Sequence, residues 1–287
     1  MTTLAETIEH AAALLAPSPT AHRDAELLLL HTARLTKAEL LTHPEQALTE
    51  RQSNHYQAAI ARRALHEPVQ YITGTQEFYG RPFIVNPLVL IPRPETEHLV
   101  EAALALTPKP SRIRPLRILD IGTGSGILAI TLALELPHAT VTATDISAPT
   151  LAVARQNARS LGADRLQFVT SDLFAQLEDA RFDCIVSNPP YVATSELLEE
   201  QVRDYEPATA LYAGADGLAI YRRLIPEARA HLEPGGHLLL EIGQGQRERI
   251  TALLESSAFH DIRFLADLQG IPRVAVAQRP LAIAQTV

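Results

Sequence analysis

Leu119-Asp120-Ile121-Gly122-Thr123-Gly124-Ser125-Gly126 sets three alternate glycines between an apolar strand and an apolar helix. Residues 117–121 form a short buried-looking run, and residues 126–136 repeat apolar side chains at helical spacing. Glycine in such a turn accepts positive φ and lets a ligand approach the backbone closely. Open α/β sheets bind ligands just beyond the carboxyl ends of their strands, where this loop falls. Position 127 is Ile, so the Gly-x-Gly-x-x-Gly dinucleotide fingerprint is not met. The loop therefore points to a nucleoside without a pyrophosphate.

Working outward, strand and helix alternate: a strand at 140–144, a helix at 148–161 capped by Gly162, and strands at 166–170 and 182–187. A helix near 217–232, a strand at 237–242 and a helix near 246–256 continue the pattern. The runs 262–266 and 273–277 flank a Gly-Ile-Pro turn and read as an antiparallel edge hairpin. This alternation predicts an α/β fold with a doubly wound, mostly parallel sheet. Asp145 ends the second strand, about twenty residues past the loop, where a carboxylate can take both ribose hydroxyls. Asp172 and Leu173 follow the third, where a carboxylate and an apolar side chain could hold an adenine ring.

The fourth strand, 182–187, ends in Asn188-Pro189-Pro190-Tyr191. Two prolines stop it, since neither donates to the ladder or continues a helix. They leave one amide side chain, prolyl carbonyls and an aromatic ring at the strand end. That set suits a flat, uncharged NH₂ group, whose hydrogens need acceptors and whose face can be covered by a ring. Taken alone, the same four residues suit a plain strand-ending turn equally well.

The 287 residues allow one large and one small domain. Residues 1–75 read as helices, with periodic segments at 5–15, 25–35 and 49–65, Thr49 as an N-cap, and Pro17 and Pro19 as breakers. Residues 76–94 alternate and contain Gly and Pro, which suggests a β-hairpin linker; residues 95–287 form the large domain. The net charge of −8 shows no basic footprint for nucleic acid. The eleven histidines lack metal-ligand spacing and Cys184 is alone, so no metal site and no disulfide are predicted. Cys184, inside an apolar strand, reads as a small core residue. No apolar run reaches the roughly 18 residues of a membrane span, and the first residues lack a secretory signal, so no membrane and a cytoplasmic location are expected.

The glycine loop, Asp145 and Asp172, in this order, resemble those of S-adenosylmethionine-dependent class I methyltransferases. With Asn188-Pro189-Pro190-Tyr191 added, the chain resembles methyltransferases acting on planar nitrogens, of adenine in nucleic acid or of protein glutamine. Glu67-Pro68-Val69-Gln70-Tyr71-Ile72-Thr73-Gly74, Glu77-Phe78-Tyr79-Gly80 and Ile91-Pro92-Arg93-Pro94-Glu95-Thr96-Glu97 are similar to the HemK/PrmC family of release factor methyltransferases. So are Glu206-Pro207, Asp216-Gly217-Leu218, Leu240-Glu241-Ile242-Gly243 and Asp267-Leu268-Gln269-Gly270. Pro92-Arg93-Pro94 stands where the sibling acting on a ribosomal-protein glutamine carries a Pro-Arg-Ser type motif.

The resemblance implies a seven-stranded Rossmann-like sheet and N5 methylation of the Gly-Gly-Gln glutamine of release factors. S-adenosylmethionine would be the donor and S-adenosylhomocysteine the product; separately from the resemblance, no metal, no nucleic acid partner and a monomer are expected. It implies cofactor contacts from Gly122, Thr123, Gly124, Ser125, Gly126, Asp145, Asp172, Leu173 and Asn188. Substrate contacts fall to Asn188, Pro189, Pro190 and Tyr191. Asn188 oxygen and the Pro189 carbonyl would accept the two amide N–H groups, with Tyr191 over the amide face. Arg93 and Glu95 are expected either at the pocket rim or in an ion pair joining the two modules. The helical residues 1–75 would dock the protein substrate. The alternatives are an adenine-N6 methyltransferase of DNA or RNA, a glutamine methyltransferase of a ribosomal protein, and an adaptor that has lost catalysis.

Overall fold

The computed structural model describes residues 2–16, 18–106 and 114–281; Pro17, read as a breaker, lies outside the described residues. In chain order the first helices are α1 (Leu4–Leu15), α2 (Ala21–Ala33), α3 (Lys37–Thr42), α4 (Glu50–Ala64) and α5 (Val69–Thr73). The hairpin β1 (Thr75–Phe78) and β2 (Arg81–Ile84) follows, then α6 (Glu97–Leu106). Next come β3 (Arg117–Ile121), α7 (Ile127–Glu135), β4 (Thr140–Asp145), α8 (Ala148–Leu161), β5 (Gln167–Thr170) and β6 (Phe182–Ser187). The chain ends with α9 (Glu200–Tyr205), α10 (Ala208–Leu211), α11 (Ala219–His231), β7 (Leu232–Glu241), α12 (Arg247–Ser256), β8 (His260–Ala266) and β9 (Pro272–Gln278).

These elements fall into two compact units, Met1–Thr75 with Leu198–Tyr205, and Gln76–Leu197 with Glu206–Val287. In the first, α1, α3 and α4 each open on a reciprocal capping box: Thr3 with Glu6, Thr36 with Glu39, and Thr49 with Gln52. Leu4, Ile8, Leu28, Leu29 and Ile60 form its core. Inside this unit the Arg63 guanidinium donates to Asp24 at 2.8 Å, with both side chains only 9% exposed. Sequence reading did not place α9 here. It is held by the Tyr205 hydroxyl, which donates to the Leu65 carbonyl at 2.6 Å, and by Glu200 beside His66.

The second unit is a seven-stranded sheet in the order β5-β4-β3-β6-β7-β9-β8. Strands β3 to β7 are parallel, while β9 runs antiparallel to both β7 and β8. Alternate residues face opposite layers. Ile118 and Val186 pack with Leu99, Val100, Leu128 and Ile130 of α6 and α7, whereas Leu119 and Ile185 pack with Tyr221, Leu224 and Ile250 of α11 and α12. This is the doubly wound arrangement expected, and it is Rossmann-like. The final hairpin differs in one respect: β9, the second strand in sequence, inserts between β7 and β8, leaving β8 at the edge. Strand β7 also starts five residues earlier than expected, because Leu232 pairs with Phe182 across a bulge that accommodates Pro234, Gly235 and Gly236. The hairpin β1–β2 belongs structurally to the sheet unit, where Phe78 and Phe83 are fully buried. Among the described residues, no helix is long and apolar enough to cross a membrane.

Candidate active site

The strand order reverses between β3 and β6, and this is where a cleft opens. Ile121 pairs with Ser187 across these strands, and the Ser187 hydroxyl donates to the Ile121 carbonyl at 2.7 Å. The glycine loop and the Asn-Pro-Pro corner therefore leave the sheet side by side. They border a cleft of about 370 Å³ at the switch point, the expected ligand position in such a sheet.

The loop is anchored from beneath. Asp120, fully buried, accepts from the Thr123 hydroxyl at 2.6 Å and from the Ala129 N–H at 3.1 Å, tying the turn to the first turn of α7. Burial pushes its carboxyl up to about 7 despite these donors, and its Oδ1 has no partner among the described residues. Asn157 of α8 donates to the carbonyls of Ser125 and Ile84 and accepts from the Ile84 N–H, so loop and hairpin share one support. Gly122 and Gly124 have positive φ, and a Cβ on either would meet no atom within 4 Å. Those two glycines face open space, so a ligand can approach the loop backbone closely there.

Asp145 reaches the cleft at the end of β4. Its carboxylate accepts from the Gly124 and Ser147 N–H groups at 3.1 and 2.9 Å, which aims it across the loop. Burial raises its pKa, partly offset by those backbone donors. Beside it Ile146 leaves 65% of its surface exposed and, with Leu173, lines the same cleft. An exposed large apolar residue next to a pocket carboxylate is the signal that sequence reading passed over. Leu173 adopts φ +50°, stabilised by its carbonyl accepting from the Ser171 hydroxyl. Asp172 also borders the cleft, but it is exposed and engaged by Arg223 at 2.8 Å. It sits at the rim.

Asn188, Pro189 and Pro190 line the cleft on the β6 side. Asn188 Nδ2 donates to the Thr96 hydroxyl at 3.1 Å, and that hydroxyl donates to Glu241 Oε2 at 2.6 Å. Thr96 can then only accept from Asn188, so the carboxamide is fixed with its oxygen turned away from Thr96. Asn188 Oδ1 takes no hydrogen bond from the described residues. Burial pushes the Glu241 carboxyl up to about 7, against the hydrogen bonds from Thr96 and Tyr191.

Tyr191 departs from expectation. It is not among the residues lining the cleft; its ring packs against the α11–α12 core layer and its hydroxyl donates to Glu241 Oε1 at 3.3 Å. A buried phenol needs a polar partner, and Glu241 supplies it away from the cleft. The aromatic ring that does border the cleft is Tyr212. Gln246 holds the corner from behind, donating to the Tyr191 carbonyl at 3.0 Å.

Arg93 lines the cleft, and its partner is Glu206, not Glu95. Glu206, with its side chain 1% exposed, also accepts from the Ile91 N–H at 3.0 Å, so one carboxylate fixes this wall of the cleft. The Thr150 hydroxyl pins the same wall through the Leu88 carbonyl. Thr96, Glu241, Asn157 and Glu206 are thus site residues to which sequence reading gave no role. Cys184 is buried, its thiol pushed up to about 12 by desolvation, and serves the core.

Residues 102–204 match the methyltransferase small domain family, and residues 6–74 match the PrmC N-terminal domain family. A release factor glutamine methyltransferase of Koribacter versatilis is 46% identical over 276 residues, covering 95% of this chain and 96% of that protein. One of Geobacter sulfurreducens is 43% identical, covering 88% of each. Among solved structures, a T. thermophilus 16S rRNA N2 G1207 methyltransferase in complex with AdoMet and guanosine covers 71% of this chain and 49% of its own. Its TM-score is 0.53 at 23% identity, a likeness of fold alone.

Proposed function

The chain belongs to the release factor glutamine methyltransferase family, and on that premise we propose that it methylates the side-chain nitrogen of the Gly-Gly-Gln glutamine in release factors, with S-adenosylmethionine as donor. One observation carries the reading: the nucleoside-type cradle and a neutral amide acceptor leave adjacent paired strands and border one cleft.

The groups that would hold the donor are the backbone of residues 122–125, the Asp145 carboxylate, and the apolar faces of Ile146 and Leu173, while Gly126, expected at the cofactor, does not line the cleft and faces Ile130 and Ala154. When bound, S-adenosylmethionine supplies a methyl group already activated by a sulfonium charge. What remains for the protein is to hold a poor nucleophile, because a carboxamide nitrogen shares its lone pair with the carbonyl. Asn188 Oδ1 and the Pro189 carbonyl accept the two N–H bonds and set the amide plane. Both acceptors strengthen as positive charge grows on that nitrogen, so they favour the transition state over the bound substrate. The departing proton passes to solvent. Asp172 and Arg223 act at the rim, and Tyr191 acts from behind through Glu241. We assign the helical first unit to docking the release factor in the cytoplasm, since a tripeptide alone offers far less area than a specific protein interface needs.

The test is transfer of labelled methyl from S-adenosylmethionine to a release factor, to the same factor with the Gly-Gly-Gln glutamine replaced by alanine, and to DNA. Label on the intact factor alone is the expected result. Label on DNA, or on the alanine-substituted factor at equal level, refutes the reading.

A further inference from the structure

Asn188 is held by two residues from elements far away in sequence. Thr96 precedes α6 and Glu241 ends β7, and both are at most 1% exposed. We infer that Thr96 and Glu241 are positioning residues that lock the Asn188 carboxamide with its oxygen towards the substrate; this rests on the methyl transfer proposed above.

A carboxamide is nearly symmetric in shape, so packing alone does not choose between its two orientations. The hydrogen bonds do. The Thr96 hydroxyl has one proton, and Glu241 Oε2 takes it at 2.6 Å. The remaining Thr96 lone pairs can meet only the donor side of Asn188, at 3.1 Å. Turning the amide over would set two acceptors against each other, or would draw the hydroxyl away from a buried carboxylate. The same carboxylate receives the Tyr191 hydroxyl on its other oxygen, and the Tyr221 hydroxyl donates to the Glu241 backbone carbonyl at 2.6 Å. Glu241 therefore orders both ends of the Asn188-to-Tyr191 corner from one point.

The lock depends on Glu241 being an acceptor. Once protonated it can donate to Thr96, which frees the Thr96 hydroxyl to donate to Asn188 and releases the amide to turn over. The ionisable groups around Glu241 are Glu95, which raises its pKa, Arg273, which lowers it, and the phenols of Tyr191 and Tyr221; Arg93 acts on Tyr191. Arg273 is itself paired with Asp267, so among the described residues Glu241 has no dedicated counter-ion to hold it ionised. The acid limb of turnover should accordingly follow this carboxyl.

The experiment compares wild type, Thr96→Val, Thr96→Ser and Glu241→Gln in the full chain. It measures kcat and KM with a release factor, S-adenosylmethionine affinity by calorimetry, folding by circular dichroism, and kcat between pH 5.5 and 8.5. In metal sites, removing the hydrogen-bond partner that orients a ligand typically costs about 10–100-fold; taking the same scale for the orientation of Asn188, Thr96→Val should lose that much kcat with KM and donor affinity within about threefold. Thr96→Ser should recover most of the loss, because the hydroxyl is the operative group. Glu241→Gln should abolish the acid limb seen in wild type. The inference is overturned if Thr96→Val turns over like wild type, if Thr96→Ser is as impaired as Thr96→Val, or if Glu241→Gln keeps the wild-type limb. Should Thr96→Val not fold, the Glu241→Gln pH profile decides alone. Absence of label with wild type instead strikes the methyl-transfer reading itself.

Discussion

The three loop glycines separate into two classes, and alanine at each tells them apart. Gly126 has φ +90°, and a Cβ there would lie 2.7 Å from Ile130 Cδ1 and 3.3 Å from Ala154 Cβ. Ile130 and Ala154 are fully buried, so neither can swing aside cheaply. The left-handed backbone costs about 1–2 kcal/mol for a non-glycine residue, and overpacking adds about 1–3 kcal/mol. Gly126→Ala should therefore destabilise the sheet unit by about 2–5 kcal/mol. Gly124 has φ +57° and nothing within 4 Å, so Gly124→Ala bears only the backbone term, about 1–2 kcal/mol. Its new methyl group would instead occupy the cradle assigned to the donor. Urea denaturation and calorimetry with S-adenosylmethionine give opposite rankings if this is right. Gly126→Ala loses more stability, and its folded fraction binds the donor within a few-fold of wild type. Gly124→Ala stays folded and loses at least about tenfold in affinity, or 1.4 kcal/mol. If Gly124→Ala binds as wild type, the open space above that glycine is not the donor site and the cofactor assignment fails.

Other outcomes follow from the same geometry. Asn188→Ala should reduce turnover by about 10²-fold, the scale of one preorganised polar contact, while calorimetric donor affinity changes little. Asp145→Asn should weaken donor binding by about tenfold or more, since a hydrogen bond to a charged group is worth roughly 1.5–3 kcal/mol; calorimetry reads it directly. Asp120 has its folded-state carboxyl raised from 3.8 to about 7 by burial, so the folded protein binds that proton more tightly than the unfolded chain. Its contribution to stability is then fully present below about pH 4 and declines as pH rises towards 7, by up to about 4 kcal/mol. Asp120→Asn should flatten that part of the urea-midpoint profile. In the helical unit, Arg63→Ala strands Asp24 and should cost about 3–5 kcal/mol in that unit's own unfolding transition.

Much of the sheet unit was legible because its buried strands are continuous apolar runs and its turns are marked by glycine and proline. Helix α8 and strand β6 have the bounds read from sequence, and Gly162 caps α8 at φ 75°. Strand order was harder. The choice between β8 and β9 as the partner of β7 depends on cross-strand contacts, which local patterning does not carry. Segment 198–205 groups with the helical unit for a reason equally invisible to local patterning: Tyr205 reaches Leu65 across 140 positions. In the site, Asn188 and the glycines announce themselves by residue type and placement. Thr96 and Glu241 lie in stretches that resemble the family, yet nothing in those stretches reveals a role for them, since a threonine before a helix and a glutamate at a strand end are ordinary residues. Their importance arises only when a separation of 145 positions closes to 2.6 Å. Tyr191 lies off the cleft lining because its hydroxyl reaches a buried acceptor, Glu241, which its position beside two prolines does not reveal.

The placement of charge suits the methyl transfer proposed above. In that transfer, the groups offered to a substrate amide at the β6 corner would be an amide oxygen and a prolyl carbonyl, while the carboxylate of Glu241 stands one hydroxyl further back from Asn188. A carboxylate in direct contact would hold the neutral amide strongly before any charge had developed, and uniform binding of that kind does not raise turnover. Neutral dipoles hold the ground state modestly and gain as charge appears on nitrogen. They have to be aimed in advance, because a rotating carboxamide would spend part of its time presenting a donor to a donor. A buried carboxylate behind a threonine hydroxyl supplies that aim without meeting the substrate. Its raised pKa is the consequence of placing it there, which is why the orientation of Asn188 and the acid limb of turnover should change together.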